Sequence, residues 1–133
     1  MFEAVRDGAS DDAIEGVEVV TRAALSATAA DVLAADAYLL GTPANIGYMS
    51  GALKHFFDTV YYPVMDDTAR RPYAAFVHGN SDTTGAVRAI ETITTGLDWK
   101  RVHDPVEVVG DPARDDLDAC YELGGMVAAG LVL

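Results

Sequence analysis

The chain has 133 residues, half of them hydrophobic, with one cysteine and a formal net charge of −12. That length suits one domain with a buried core, and the charge would repel a nucleic-acid duplex or an anionic membrane surface. Cys120 alone forms neither an internal disulfide nor a cysteine-based metal site, no apolar run is long enough to span a bilayer, and Met1 to Asp7 lacks the order of a signal peptide, so a cytoplasmic home is expected.

In chain order, Phe2 to Gly8 reads as the end of a helix, with Gly8 as its C-cap. Gly16 to Arg22, where Val17, Val19 and Val20 flank Glu18, reads as a strand. Thr28 to Asp36 reads as a short helix capped by Thr28, with Ala30, Leu33 and Ala34 on its inner face. Ala37 to Leu40 is a second strand, and the loop after it carries Gly41, Pro43 and Gly47. A helix then runs from about Ser50 to Tyr62: Met49, Leu53, Phe56, Phe57 and Val60 form one apolar stripe, and Pro63 breaks it. Tyr73 to His78 is nearly all apolar, as a central parallel strand covered on both faces requires. Gly79 to Thr84 reads as a loop, and Gly85 to Leu97 as a helix with Ala86, Ala89, Ile90, Ile93 and Leu97 inward. A fourth strand lies within Lys100 to Val109, clearest at Val106 to Val109. The last helix runs from Asp115 to about Gly130, with Leu117, Cys120, Leu123, Gly124 and Val127 inward. Strands alternating with helices predict a parallel, three-layer α/β sandwich in a single domain over 1–133.

The richest segment is Gly41 to Asp58, with the order G-T-P-x-x-x-G-x-M-S-G-x-L-K-x-F-x-D after an apolar strand. Loops at the carboxyl ends of strands are where open α/β sheets place ligands, and glycine lets the backbone come close to a flat ring or an anion. This segment resembles the second flavin-contacting loop of flavodoxin-like quinone reductases and FMN reductases. The resemblance is specific here and diffuse over nearly all the rest of the chain. It implies a flavodoxin-like parallel sheet with strand order 2-1-3-4-5. Members of this family open with an apolar strand and a loop that holds the FMN phosphate at the N-terminus of the first helix. Met1 already lies inside what reads as that helix, so the expectation is an N-terminally truncated sheet, first strand and phosphate loop absent, with FMN binding weak or absent. The neighbours of the missing strand would carry unpaired backbone groups. Either Val17 to Val20 slides to pair with Ala37 to Leu40 or another chain covers the edges, and a homo-oligomer is expected.

Carried over by position, the resemblance implies that Thr42, Pro43, Ala44, Asn45, Ile46 and Gly47 line the flavin. The loop His78 to Gly85 would border its ring and ribityl chain, with His78, Gly79 and Asn80 as its cofactor-binding residues. Two ordinary roles stand beside these: a strand-to-helix loop for the first group, and for His78 a strand-end histidine bonded to backbone. Ser81, Asp82 and Thr83 read equally as helix caps. Lys54, His55 and Asp58 read as a solvated helix face, and Cys120 as a small buried hydrophobe. Tyr48, Tyr61 and Tyr62 read as packing residues or as a wall beside a ring or a second subunit. No Ser-His-Asp spacing, P-loop, zinc or EF-hand pattern occurs, and no metal is expected.

Two functions follow. One is an FMN-dependent oxidoreductase or electron-transfer flavoprotein, for instance an NAD(P)H-dependent FMN or quinone reductase, passing electrons to a small-molecule acceptor or a redox protein. The other is a flavin-free, flavodoxin-like binding or structural module whose cofactor site has decayed.

Overall fold

A computed structural model describes residues 1–133. The elements are α1 (Phe2–Ala9), α2 (Ala29–Ala34), β1 (Tyr38–Asn45), β2 (Tyr48–Met49), α3 (Gly51–Val64), β3 (Pro72–Gly79), α4 (Thr84–Gly96), β4 (Lys100–Arg101), β5 (Val106–Val109) and α5 (Arg114–Gly130). β3 is the hub of the sheet. It pairs in parallel with β1 from Tyr38↔Tyr73 to Pro43↔His78, with β5 from Phe76↔Val106 to Gly79↔Val109, and with β4 at its start. β2 folds back antiparallel on the end of β1, giving the path β2-β1-β3 with β4 and β5 beyond. The fold is the expected flavodoxin-like α/β layering, with Tyr73 to His78 at its centre. No helix is long and apolar enough to cross a membrane.

Side chains alternate across the central strand. Tyr73, Ala75 and Val77 join a cluster of 17 buried residues under α3 and α4, whereas Ala74 and Phe76 face a cluster of only 6 under α1 and α5. The expected stripe on α3 is the buried face: Leu53, Phe56, Phe57 and Val60 are all inside, and Met49 with them. Pro63 does not stop this helix but lies inside it, one residue before its end at Val64. Ser50 caps the helix start, its hydroxyl accepting from the Leu53 N–H at 3.1 Å. Trp99 stacks on Tyr38 with ring centroids 4.1 Å apart, and its indole N–H donates to buried Thr68 at 2.9 Å. On α4, Ala86, Ala89, Ile90 and the following Leu97 are buried as expected, joined by Thr94, which bonds the Tyr73 hydroxyl at 2.9 Å.

Four sequence expectations are corrected. Gly8 is not a C-cap but lies inside α1, where a Cβ would run into the backbone of Tyr121; Gly124 meets the backbone of Val5 in the same way. The two glycines let α1 and α5 cross at backbone contact, a tertiary reason that a helix-end reading does not see. On α2 it is Val32 that is buried; Ala30, Leu33 and Ala34 are exposed. On α5, Leu117 is 37% exposed although Cys120, Leu123, Gly124 and Val127 are buried. Finally, 16–22 is extended but belongs to no strand, since nothing pairs with it and it has not slid against β1.

That last segment therefore stands apart from the sheet as a strap, held at both ends. Before it, the Tyr121 hydroxyl of α5 bonds the Asp11 carboxylate, and that bond holds the acid below its usual range. After it, Thr28 and Asp31 form a reciprocal capping box on α2. The guanidinium of Arg71 then ties down the far end of α2, donating to the carbonyls of Val32, Leu33 and Ala35 at 3.2, 2.9 and 2.8 Å. These are the orphan acceptors that every helix end must satisfy. Between the strap and β1 runs a cavity of about 1010 Å³, walled by Val17 and Val19 on one side, Leu39 and Gly41 on the other, and Val5 and Val127 from the helices.

Candidate functional site

The segment Gly41 to Gly47 is not a loop. β1 continues through it to Asn45, and a two-residue turn, Ile46-Gly47, returns the chain into β2. Both turn residues have positive φ, 50° and 75°, which is the backbone twist that suits a right-twisted hairpin. Gly47 adopts it without strain, whereas Ile46 is β-branched and pays for it. The side chain of Ile46 contacts nothing and stands fully in solvent.

What fixes this turn is α4. A Cβ on Gly85 would overlap the carbonyl oxygen of Gly47, so the hairpin tip lies directly on the first turn of that helix. The second loop is built by its own hydroxyls and carboxylate. Asp82 accepts from the Thr84 N–H at 3.0 Å and from its hydroxyl at 2.8 Å, and these bonds keep its carboxyl below the usual range. Buried Thr83 donates to Glu107 on β5 at 2.8 Å. Gly79 is needed where β3 ends, because a Cβ there would meet the Asp82 carbonyl oxygen at 2.7 Å.

The two loops meet at the carboxyl edge of the sheet. Between them is an open cavity of about 550 Å³ lined by Ala44, Asn45, Ile46, Gly47, Asn80, Ser81, Asp82 and Gly85. Five of the nine expected site residues are thus on one cavity: Ala44, Asn45, Ile46, Gly47 and Asn80. The other four are elsewhere. Thr42 is buried, accepting from the Ser50 N–H at 2.9 Å and donating to the Pro43 carbonyl at 2.8 Å, so its hydroxyl is spent on joining β1 to α3. Pro43 and His78 line the larger cavity beside the strap. The His78 Nε2 lies 2.6 Å from the Gly110 carbonyl, the backbone-bonded role that stood as its alternative. Gly79 is buried beneath the loop.

Ser81, Asp82 and Gly85 also line the site; they belong to the His78 to Gly85 loop expected to border the flavin, with helix capping as the other role of Ser81 and Asp82. The signal was present in the Asp82-x-Thr84 spacing, which is that of a side-chain-closed turn and orders the whole loop. Chemically, the cavity offers a glycine-flattened backbone, the exposed aliphatic side chain of Ile46, two amides and a hydroxyl that both donate and accept, and an ionised acceptor-only carboxylate. No lysine or arginine lines it. Such a lining suits the flat, heteroatom-edged end of a ring system and gives no cationic partner to a phosphate.

Comparison with known proteins agrees with this fold. A flavodoxin of Aquifex aeolicus is 30% identical over 144 aligned positions, covering 96% of this chain and 77% of that protein. Among solved structures, an archaeal flavodoxin superposes with a TM-score of 0.80 at 20% identity, covering 98% of this chain and 87% of that one. A WrbA-like flavodoxin from Agrobacterium tumefaciens gives 0.74 at 20% identity, covering 95% and 83%. Residues 8–110 match the family described as NADPH-dependent FMN reductase, and the chain belongs to that family.

Proposed function

We propose that this chain is an FMN-dependent oxidoreductase that holds the flavin ring between the Ala44 to Gly47 turn and the Asn80 to Asp82 loop. The observation that carries this reading is the meeting of those two loops over one cavity at the carboxyl edge of the sheet. The flavin would supply the hydride and electron chemistry, with NAD(P)H as donor and a small molecule or redox protein as acceptor. The protein's part is positional. Ile46 offers its aliphatic side chain to a ring face, Gly47 brings backbone close, and Asn80, Ser81 and Asp82 supply hydrogen-bond partners for a polar ring edge. Ring recognition without a phosphate clamp is what the lining supports, so FMN and riboflavin are expected to bind alike and weakly.

The test is titration of the purified chain with FMN and with riboflavin, followed by flavin fluorescence and the visible spectrum. We expect one site, dissociation constants weaker than about 1 μM for both, and about tenfold loss in Gly47→Val and Asn80→Ala. Submicromolar FMN binding that exceeds riboflavin binding by orders of magnitude overturns the phosphate-free account. Unchanged affinity in both variants places the ring elsewhere. A second reading, a flavin-free module, draws on the Asp82 carboxylate in a cavity with no cation, and it prevails if neither flavin binds.

A further inference from the structure

The chain holds only two asparagines and no glutamine, and both asparagines line the cavity of the candidate ring site. Their surroundings differ. Asn45 is the last residue of β1, in register with Tyr48 across the hairpin, and Ile46 after it is β-branched and held at φ 50°. Asn80 is exposed in the irregular turn after β3, and it is followed by Ser81, which is small and also exposed. That turn is fastened on either side of the pair. The Gly79 carbonyl accepts from the Gly110 N–H at 2.8 Å, and the Asp82 carboxylate accepts from the Thr84 N–H at 3.0 Å. Between these anchors no hydrogen bond within the chain holds the Ser81 N–H or the Asn80 amide.

We propose that Asn80 is a self-modification site: the Ser81 nitrogen attacks its side-chain carbon, and the amide becomes a carboxylate inside the candidate ring site. The Ser81 nitrogen gives up its proton and bonds Asn80 Cγ. The Cγ–Nδ2 bond breaks and the amide leaves as ammonia, closing a cyclic imide. Water then opens that imide at either carbonyl, giving aspartate or isoaspartate. No electrons are exchanged, and water is the only co-reactant. Closure requires the main chain of the asparagine to swing until Cγ lies beside the next nitrogen. Asn80 can do this in an unpaired, exposed turn, where backbone opening costs little. Asn45 cannot, because the ladder to Tyr48 fixes its backbone and the branched Cβ of Ile46 shields the nitrogen. The change falls where it is felt. The new carboxylate stands close to Asp82 in a cavity lined by no lysine or arginine, and the two charges repel. The donor group of the Asn80 amide is lost. Isoaspartate also adds a methylene to the main chain just ahead of the turn closed by Asp82 and Thr84. The chain therefore loses its ring ligand as it ages, a consequence that rests on the ring-binding reading above, whereas the chemistry at Asn80 does not.

The test is incubation of the purified 133-residue chain in mildly alkaline buffer, native and in urea, with tryptic peptides read by mass spectrometry at intervals. The two asparagines fall in different tryptic peptides, 23–54 and 71–88. We expect Asn80 to gain the mass of an acid over an amide, as a mixture of aspartate and isoaspartate, at a native rate within about threefold of its rate in urea. Asn45 should convert at least tenfold more slowly folded than unfolded. Ser81→Pro removes the attacking N–H and Ser81→Ile shields it, so each should slow conversion at Asn80 at least tenfold. Asn80→Asp, and the converted chain separated by its extra charge, should both bind riboflavin at least tenfold more weakly than fresh chain. The proposal is overturned if folding slows Asn80 tenfold or more, if native Asn45 converts as fast as Asn80, or if neither Ser81 variant slows the reaction. A converted chain that keeps the riboflavin affinity of fresh chain overturns the effect on the site. If fresh chain binds no flavin, the ring-binding reading fails, and the mass shift alone decides the modification.

Discussion

The two faces of the sheet differ in how completely they are covered. Under α3 and α4, 17 buried residues form one continuous cluster, with Trp99 stacked on Tyr38 and donating to the Thr68 hydroxyl, and the Thr94 hydroxyl bonded to that of Tyr73. Under α1 and α5 the buried cluster has only 6 residues, and the cavity beside the strap opens next to it. The candidate ring site belongs to the first face, because its hairpin rests on α4. The geometry of the candidate site is thus set by the well-packed half. Local stability in proteins is uneven in this way, with segments poor in buried contacts opening first.

This contrast can be broken by experiment. Phe57→Ala removes a side chain only 1% exposed from the larger cluster and should cost about 3–5 kcal/mol in urea unfolding. Leu123→Ala, at a fully buried position of the smaller cluster, should fall near about 2 kcal/mol, the low end for such a truncation, because its cluster neighbours Val5, Phe76 and Val127 border the cavity beside the strap and have room to shift. Equal losses would mean the two faces are one cooperative unit. Thr28→Ala deletes the capping hydroxyl of α2 at the end of the strap and should cost about 1 kcal/mol. The smallest effect concerns acid. Asp11 and Asp82 are held below the ordinary carboxyl value of 3.8 by hydrogen bonds, so their contribution is present above about that pH and is lost as pH falls below it. Tyr121→Phe should reduce the difference in urea midpoint between pH 6 and pH 3. If it leaves that difference intact, the Asp11 anchor contributes nothing.

Much of this arrangement was legible in the residues. A strand buried on both faces must be apolar throughout, and Tyr73 to Val77 could be little else. The α3 stripe was equally plain. What failed has a common cause: it depends on partners. Val17, Val19 and Val20 around Glu18 specify an extended chain, but a strand is a relation between two segments, and 16–22 pairs with no strand. Gly41, Pro43 and Gly47 look like loop punctuation, yet Pro43 sits where β1 needs no further donor and Gly47 serves a two-residue turn. Ile46 hides that turn, since a β-branched residue at positive φ is contrary to local preference. The loops of the site were found because a helix N-terminus after an apolar strand is a local pattern. The separation of Thr42 from the cavity was not, because it rests on a hydrogen bond to Ser50 across the β-hairpin; for His78 the backbone-bonded role stood as an alternative, but its partner Gly110 lies 32 residues on.

The strap is fastened to α5 through Asp11 and Tyr121, and to the rest of the fold through Arg71 at the foot of α2. Its covalent continuity is therefore not what keeps its two ends in place. Arg22 is exposed in the middle of this stretch, in reach of trypsin. A chain nicked after Arg22 should still elute as one particle under native conditions and part into two fragments only in denaturant, so the molecule can lose a peptide bond there and keep its shape.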